Sequence, residues 1–431
     1  MEENYIPEWV LGGGHIDEGA FCREYLYNNP MVYTDGAFFT AEGKVNCLDQ
    51  LRKEIYEEVA PYLTRNIPRK VDAILDTMKM ECYRQKLPYQ ETVIHLANGA
   101  YKLEEGFLPV KTFCRYRLPV NYNENAPEPK LWLEFLDQLL EPEDILTLQE
   151  FMGYCLIPTT AAQKMLIITG RGGEGKSRIG VVMRALFGTN MSTGSIAKVE
   201  QSPFARADLE HLLVMVDDDL KMEALKGTNY IKSIVTAEVP MDLERKGIQS
   251  YQGQLNVRFM AFGNGTLQAL HDRSYGFFRR QIILSTKNRP ADRVDDPFLG
   301  KRLVEELEGI FLWCLEGLFR LIGQDMQFTI SKQARRNMAS AIAEGNNMVH
   351  FLRSQGYIRF DPEGTASSRG LYGAYKDWCE DNMMTPLGSR TFFSFLTQNA
   401  PQYQLIPTNA IPAGNGKFVR GFRGIRLCGR F

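Results

Sequence analysis

The spacing of apolar residues predicts a largely helical first part of the chain. Apolar residues recur every three or four positions between residues 45 and 86, and again between 130 and 154, with charged residues between them. Short β-prone stretches occupy residues 92–122, and a Pro-rich connector follows at 123–129. We therefore predict an α-rich N-terminal region over residues 1–150.

The pattern changes after this region to short apolar stretches separated by loops and helices. Such stretches lie at residues 165–169, 212–216, 259–262 and 281–284. Strands that are apolar on both faces are typical of a parallel sheet covered by helices on each side. With an amphipathic helix at 303–321, the pattern predicts an α/β core over residues 151–325.

The last part of the chain predicts a small separate domain. A polar connector at residues 326–347 reads as a linker. Helix patterns follow at 371–382 and 389–398, and the chain then forms a Gly-rich, basic pair of β-strands that ends at residue 427. The predicted domain spans residues 348–431.

Composition excludes several classes of protein. The chain has 431 residues, of which 44% are hydrophobic and 24% charged, as in globular proteins. No apolar run is long enough for a membrane helix, and the N-terminus lacks the pattern of a signal peptide. The eight cysteines are scattered singly, which favours a reduced, cytoplasmic interior and small buried side chains over a metal site.

The charge is unevenly distributed. The net charge is −2, but residues 351–431 contain ten basic and five acidic residues, so this segment carries +5 and the rest of the chain −7. A basic segment attached to an acidic body indicates an anionic polymer as partner for that segment alone.

A glycine-rich motif follows the first strand of the predicted core. Residues 170–177 read Gly-Arg-Gly-Gly-Glu-Gly-Lys-Ser and match G-x-x-x-x-G-K-[ST], with an apolar strand before them and a helix pattern after them. In such a loop the backbone N–H groups converge on a phosphate, and the start of the helix adds positive partial charge. We predict that Ser177 also binds Mg²⁺. The predicted ATP-binding residues are Gly170, Gly172, Gly173, Glu174, Gly175, Lys176, Ser177 and Arg178.

Three aspartates follow the apolar stretch at 212–216. One carboxylate at such a position can hold Mg²⁺, and a second can polarise the attacking water. We assign Asp217 to the metal and Asp218 to the water, and Asp219 is a spare acid.

Two more polar features accompany the predicted strands. Asn264, after the stretch at 259–262, predicts either a contact to the γ-phosphate or the start of a turn. Arg279 and Arg280 end the sequence Asp-Arg-Ser-Tyr-Gly-Phe-Phe-Arg-Arg that begins at Asp272. A guanidinium from a neighbouring subunit can neutralise transition-state phosphate charge, whereas arginines on a surface loop are otherwise solvated charges.

The order of these motifs resembles that of the superfamily 3 helicases, in particular the branch found in phage and plasmid primase-helicases and poxvirus-like primase-helicases. The resemblance covers most of the chain: residues 92–163 are similar to the helicase-associated region and residues 305–321 to the closing helix. It implies a P-loop NTPase (AAA+-like) core that hydrolyses ATP with Mg²⁺. The catalytic roles that it implies are Lys176 and Ser177 at the nucleotide, Asp217 and Asp218 at Mg²⁺ and water, Asn264 as sensor, and Arg279 or Arg280 as an arginine finger in trans.

The resemblance also implies two DNA-binding elements. Residues 244–251 correspond to a hairpin in the central channel of a hexameric ring, where we expect Lys246, or Arg245 as second choice, to contact the DNA backbone. The alternative is an ordinary solvated β-turn. Residues 348–431 resemble a winged-helix domain, whose basic charges would bind phosphates unless they only solvate a hairpin. The predicted wing residues are Lys417, Arg420, Arg423 and Arg426.

Two departures from the family pattern matter. The strand ends in aspartates where many relatives have glutamates, which leaves open which acid polarises water. Full-length primase-helicases carry a primase domain ahead of this region, but fewer than 170 residues precede Gly170. We therefore expect that this chain does not make primers.

These observations predict an ATP-dependent DNA helicase that forms a homo-oligomeric ring, expected to be a hexamer, in the cytoplasm of a bacterial host of a mobile element. The expected partners are single-stranded and forked DNA, origin duplex DNA and a separate primase or polymerase. We expect no contact with a membrane. The resemblance implies translocation on single-stranded DNA in the 3′ to 5′ direction. The alternative is an ATP-regulated origin-binding initiator or recruiting platform with little unwinding. A small-molecule kinase is a third hypothesis, which explains neither the paired arginines nor the basic wing.

Overall fold

The computed structural model divides into two compact units. Unit 1 comprises Met1–Leu267 and Arg279–Arg335, and unit 2 comprises Gln268–Phe278 and Arg336–Phe431. The predicted linker at 326–347 spans the boundary between the units, and the predicted boundary at residue 150 lies inside unit 1. The structure describes these residues: 6–84, 87, 90–220, 225, 227–264, 275–290, 296–345, 347–354, 356–384, 386–398, 400–401, 403–412 and 417–428.

The first part of unit 1 is a small α/β module with its own hydrophobic core. Trp9, Phe21 and Phe38 are almost fully buried in this core. The helical pattern at 45–86 forms two helices, because Pro61 lies in the short 3₁₀ turn Ala60–Tyr62 and cannot continue the first helix. The elements are β1 (Val10–Gly12), β2 (His15–Ile16), α1 (Glu18–Asn28), β3 (Val32–Thr34), β4 (Ala37–Thr40), β5 (Gly43–Lys44), α2 (Leu48–Val59) and α3 (Ile67–Glu81).

A four-stranded sheet and two helices follow this module. The helical pattern at 130–154 is interrupted at Leu140 and Glu141, because the residue before a proline disfavours the helical conformation and Pro142 begins the second helix. The elements are β6 (Val93–Leu96), β7 (Gly99–Lys102), β8 (Gly106–Leu108), β9 (Arg117–Leu118), α4 (Lys130–Leu139) and α5 (Pro142–Tyr154).

A five-stranded parallel sheet forms the centre of unit 1. Its strands are β10 (Met165–Thr169), β11 (Met191–Thr193), β12 (Val214–Leu220), β15 (Arg258–Gly263) and β16 (Gln281–Ser285), in the spatial order β11-β12-β15-β10-β16. The middle residues of β10 are fully buried, as expected for a strand covered on both faces. The mixed α/β class and the parallel sheet are therefore confirmed. The other elements of the region are α6 (Ser177–Phe187), α7 (Ile196–Gln201), α8 (Pro203–Ala207), α9 (Asn229–Thr236), and the hairpin β13 (Met241–Arg245) and β14 (Ile248–Gly253).

Two helices close unit 1 and pack tightly against its earlier part. They are α11 (Leu299–Glu305) and α12 (Leu307–Gly323), where the sequence predicts one helix. At the break between them, the Glu306 carboxylate accepts hydrogen bonds from the first amides of α4, Leu131 N at 3.1 Å and Trp132 N at 2.9 Å. It therefore satisfies N–H groups that the start of a helix leaves without a partner.

Glycine allows α5 and α12 to approach each other closely. A Cβ at Gly153 would overlap the backbone of α12 at Cys314, and a Cβ at Gly317 would overlap the backbone of α5 at Gln149. Both helices contribute buried side chains to the core that surrounds the parallel sheet. These two helices thus pack backbone to backbone on the core of unit 1.

Unit 2 combines helices with a three-stranded antiparallel sheet of order β17-β19-β18. Its core includes Phe351, Leu371, Tyr375, Phe392 and Ile425, each fully buried. Helix α13 (Lys332–Gly345) begins just before the unit boundary, and α10 (Tyr275–Phe278) also belongs to this unit. The remaining elements are α14 (Asn347–Arg353), β17 (Ile358–Ser367), α15 (Ser368–Asp381), α16 (Ser389–Gln398), β18 (Ile406–Pro412) and β19 (Phe418–Leu427).

Two further expectations concern membranes and cysteines. Within the described ranges, no helix combines the length and apolarity that crossing a membrane requires. Six of the eight cysteines are buried free thiols, which agrees with their interpretation as small apolar side chains.

Candidate functional site

The glycine-rich loop lies between β10 and α6, at the carboxyl edge of the parallel sheet. Gly172, Gly173 and Gly175 have φ angles of 104°, 82° and 101°, a region that residues with a Cβ rarely adopt. Gly170 is restricted by space instead: a Cβ there would lie 2.5 Å from Thr286 Oγ1 and 2.7 Å from Lys176 Nζ. The loop therefore needs its glycines for both backbone conformation and close approach.

Lys176 forms a buried ion pair inside this loop. Its Nζ lies 2.8 Å from Glu174 Oε2, and both side chains are almost fully enclosed. The same carboxylate accepts hydrogen bonds from the backbone amides of Arg171 and Gly172. Burial raises the pKa of Glu174, but the hydrogen bonds from Lys176 and the amides outweigh burial and hold the pKa below its usual value.

Of the three aspartates of β12, Asp217 is buried apart from the other two. Asp217 is buried, and its Oδ2 accepts a hydrogen bond of 2.8 Å from Ile196 N at the start of α7; burial raises the pKa of this carboxyl. Asp218 and Asp219 are exposed and line a cleft beside the glycine-rich loop. The pairing of β12 with β15 is irregular between Asp217 and Leu220, so the last two aspartates do not follow the simple alternation of a strand.

This cleft has a volume of about 770 Å³. Its floor consists of the glycine-rich loop and the first residues of α6, including Lys176, Ser177 and Arg178. Asn264 lines it from the end of β15, and its Oδ1 lies 4.0 Å from the position of a Cβ on Gly172. The segment from Asp296 to Leu299 forms another wall. The structure thus brings Lys176, Ser177, Arg178, Asp218 and Asn264 together and places the Asp217 carboxylate on the α7 amide.

The cleft has the donor set for a phosphate ester with a divalent cation. It offers an ammonium, a hydroxyl and two carboxylates at the end of parallel strands, where ligands bind in open α/β sheets. Across the described residues, no group of three or more His, Cys, Asp or Glu side chains could hold a metal ion unaided. Mg²⁺ commonly uses only one or two protein carboxylates together with substrate phosphates, so the residues fit this ion.

Arg279 and Arg280 lie at the opposite edge of the sheet. They precede β16, and Arg280 O accepts a hydrogen bond from Met165 N at the amino end of β10. Lys164 Nζ donates to Arg279 O, and burial together with the charges of the two arginines lowers the pKa of Lys164. The five residues of β10 separate this group from the glycine-rich loop by about 16 Å. Both arginines are therefore remote from the cleft of their own chain. Residues 272–274 of the predicted motif lie outside the described residues.

The predicted hairpin at 244–251 corresponds to β13 and β14. The pair Arg245 and Ile248 closes a two-residue turn in which Gly247 has a φ of 75°. Lys246 is exposed in this turn, whereas Arg245 Nη2 lies 2.6 Å from Glu210 Oε2, which also accepts from Tyr251 Oη. Lys246 is therefore the more accessible of the two cations.

The four basic residues predicted for a wing lie on or beside β19 in unit 2. Lys417, Arg420, Arg423 and Arg426 are all exposed. Arg426 Nη2 forms an ion pair of 3.1 Å with Asp361 Oδ2. The strand thus presents basic side chains to solvent, and one of them already has an acidic partner.

The sequence analysis missed Thr286 and Arg289, which follow β16. Thr286 Oγ1 faces Gly170, and Arg289 Nη1 donates a hydrogen bond of 3.3 Å to Gly173 O. Their position in the sequence could have identified them. Parallel strands end at the same edge of a sheet, so residues that follow the predicted strand at 281–284 are expected to lie near the loop. Both residues support the glycine-rich loop from the side of β16.

The comparisons with known proteins concern the family of the central region and the fold of the chain. Residues 168–280 match a family of unknown function, DUF5906. The chain is similar to apo structures of the C-terminal region of NrS-1, of which one, an A form, has a TM-score of 0.53 at 11% identity and covers 98% of this chain and 100% of that chain. A second structure has a TM-score of 0.57 at 12% identity and covers 94% of this chain and 98% of that chain. A third, also an A form, has a TM-score of 0.54 at 11% identity and covers 95% of this chain and 99% of that chain. The likeness shows a shared fold along nearly the whole chain.

Proposed function

We propose that this protein is an ATP-dependent DNA helicase of superfamily 3 that assembles as a ring and acts in the replication of a mobile element. The observation that carries the proposal is the convergence of the glycine-rich loop, two aspartates of β12 and Asn264 on one cleft. Its volume lies within the range of ligand pockets. We propose a P-loop NTPase core for unit 1 and a winged-helix domain for unit 2.

In this proposal, the cleft binds ATP through its phosphates. Lys176 and the loop amides neutralise phosphate charge, and Ser177 with Asp218 would hold Mg²⁺, which supplies further neutralisation when bound. Asp219 is then placed to accept a proton from the attacking water, and Asn264 to orient the γ-phosphate. We propose these roles for Asp218 and Asp219 instead of Asp217 and Asp218, because Asp217 is engaged by Ile196 N.

The arginines are proposed to act on the site of the neighbouring subunit. Arg279 and Arg280 are about 16 Å from their own loop, so they reach a nucleotide only when a second copy presents its cleft to this edge. Their charges, with Lys164, match an anionic ligand. This geometry requires head-to-tail contacts, which form a ring when the rotation between neighbouring copies closes.

Lys246 and the basic strand β19 are the proposed DNA contacts. Lys246 projects from a tight hairpin and would follow the backbone of a single strand in the channel. The exposed arginines of β19 would bind duplex or forked DNA with little sequence selectivity.

Strand displacement is the direct test. Purified protein with ATP and Mg²⁺ should unwind forked DNA, and Lys176→Ala should not. If the wild-type protein hydrolyses ATP but unwinds none of the forked substrates tested, the proposed helicase activity is contradicted. Salt-dependent binding to one duplex sequence with nucleotide-dependent oligomers, but without displacement, would instead support the initiator.

A mixing experiment tests the action in trans. Arg279→Ala or Arg280→Ala should bind ATP and hydrolyse it slowly. Mixing that variant with Lys176→Ala protein should restore activity at interfaces that pair an intact cleft with an intact arginine. Mixed rings with no restored hydrolysis would refute the arginine finger.

The salt dependence of DNA binding tests the basic strand. Replacing Arg420 and Arg423 with Gln should reduce the slope of log affinity against log salt by about 0.9 for each duplex phosphate that the protein no longer neutralises. Arg426→Gln should reduce it less, because Asp361 already neutralises this charge. An unchanged slope in all variants would show that DNA binds elsewhere.

A further inference from the structure

Glu174 is an unexpected side chain at the floor of a phosphate site. The motif tolerates any residue at this position, so a carboxylate is not required by the loop. Its oxygens nevertheless accept from the amides of Arg171 and Gly172 and from Lys176 Nζ, and only 4% of the residue is exposed. The loop thus encloses an anion that belongs to its own chain.

The ion pair holds the Lys176 ammonium beside Gly170, within the glycine-rich loop. The Nζ of Lys176 and the Cδ of Glu174 lie 2.7 and 2.9 Å from the position that a Cβ on Gly170 would occupy, at the beginning of the loop. A lysine that reaches the outer phosphates of a nucleotide must leave this position. An incoming phosphate would also repel the Glu174 carboxylate, because both are negative.

We propose that Glu174 competes with nucleotide phosphate for Lys176 and thereby lowers the affinity of the glycine-rich loop for nucleotide. This inference rests on the proposed function. Glu174 has two opposite effects: it stabilises the empty loop by pairing a buried ammonium, and it weakens the loaded loop. A residue with only a structural role would stabilise both the empty and the loaded loop. Replacing a competitor should therefore raise the nucleotide affinity, whereas replacing a structural residue should not.

Glu174→Gln is the informative variant. The amide side chain keeps its size and one oxygen, which can still accept from Arg171 N, but it removes the negative charge that holds Lys176. Glu105→Gln is the matched control, because Glu105 also lies 2.8 Å from a lysine, Lys102, but on the exposed surface of unit 1. Both variants are compared with the wild-type full chain by calorimetric titration with ATPγS and Mg²⁺.

The expected result is an affinity about tenfold higher for Glu174→Gln, the size of one charge-assisted hydrogen bond, and no change for Glu105→Gln. Without nucleotide, the melting temperature of Glu174→Gln should fall below that of wild type. Equal or weaker binding by Glu174→Gln would overturn the competition. If this variant does not fold, Glu174→Ala takes its place with the same expected sign.

The proposed function is tested separately by Lys176→Ala. Wild-type binding of ATPγS that Lys176→Ala abolishes supports the nucleotide site, whatever Glu174 does. If neither the wild-type protein nor Glu174→Gln binds ATPγS, both the proposed nucleotide site and the proposed competition are overturned.

Discussion

Replacing Asp217 tests the assignment of the three aspartates. The Asp217 carboxylate is buried and accepts the Ile196 amide at 2.8 Å. Asp217→Ala leaves this amide without its partner, which costs about 1–3 kcal/mol of unfolding free energy. Asp217→Asn keeps an oxygen acceptor, so the amide stays satisfied. We therefore expect Asp217→Ala to be destabilised and Asp217→Asn to be stable.

The pKa of Asp217 determines how the stability of Asp217→Asn relative to wild type depends on pH. Burial raises this pKa in the folded protein, so the folded state holds the proton more tightly than the unfolded state does. The ionised carboxylate therefore weakens the fold at pH values above the unfolded pKa of 3.8. Asp217→Asn should be no less stable than wild type at pH 7, and its advantage should vanish as the pH falls below that value.

Urea denaturation and steady-state ATP hydrolysis are the assays. Asp217→Asn should keep hydrolysis, whereas Asp218→Asn and Asp219→Asn, which line the cleft, should each lose about 100-fold or more without a loss of stability. A folded Asp217→Asn protein without hydrolysis, beside active Asp218→Asn and Asp219→Asn, would refute this reasoning and restore Asp217 as the metal ligand.

Four further substitutions have distinct expected outcomes. Lys246→Ala should weaken binding to single-stranded DNA, measured by fluorescence anisotropy, without changing stability, whereas Arg245→Ala should lower the unfolding free energy by about 1 kcal/mol through loss of the Glu210 pair. Gly170→Ala should reduce ATPγS affinity by more than tenfold in a folded protein, because the new Cβ would overlap Thr286 Oγ1. Burial lowers the pKa of His211 to about 3, so stability should fall by about 1.4 kcal/mol per pH unit as the pH drops from 6.5 towards 3, and urea titrations of His211→Asn should lose this slope.

Matched variants control two of these outcomes. Gly323→Ala places its Cβ in open space and should bind ATPγS as wild type does. His15 is exposed, so His15→Gln should keep the acid slope. Undiminished DNA binding by Lys246→Ala, normal ATPγS affinity of Gly170→Ala, or an unchanged acid slope in His211→Asn would each contradict the corresponding structural reason.

The parallel sheet could be predicted because its signals are local. Runs that are apolar on both faces mark β10, β15 and β16 within one residue at either end. The stretch predicted for β12 starts two residues and ends four residues too early, since the pairing of this strand with β15 continues through the aspartates to Leu220. The end of a strand cannot be predicted from apolarity when its last residues are charged and its length is determined by pairing with a neighbouring strand.

Side-chain partners could not be predicted in the same way. The pattern at 170–177 identified the loop, but the Glu174 ion pair depends on how the two side chains fold over Gly170. The choice between Asp217 and its neighbours depends on Ile196, which is 21 residues away in sequence. The strand β17 was missed because it carries mostly exposed residues and lacks regular alternation.

A shortened form of unit 1 cannot begin at residue 151, where the apolar pattern predicts a boundary. Residue 151 lies inside α5, and the backbone contact of Gly153 with α12 would be left at a frayed end. The carboxylate of Glu306 would also lose the helix α4 that it caps. A fragment of residues 151–325 should therefore expose the apolar face of α12 and aggregate. A fragment that starts near residue 90 and ends near 335 keeps both of these interactions, and the proposed ATP hydrolysis can be measured in it without unit 2.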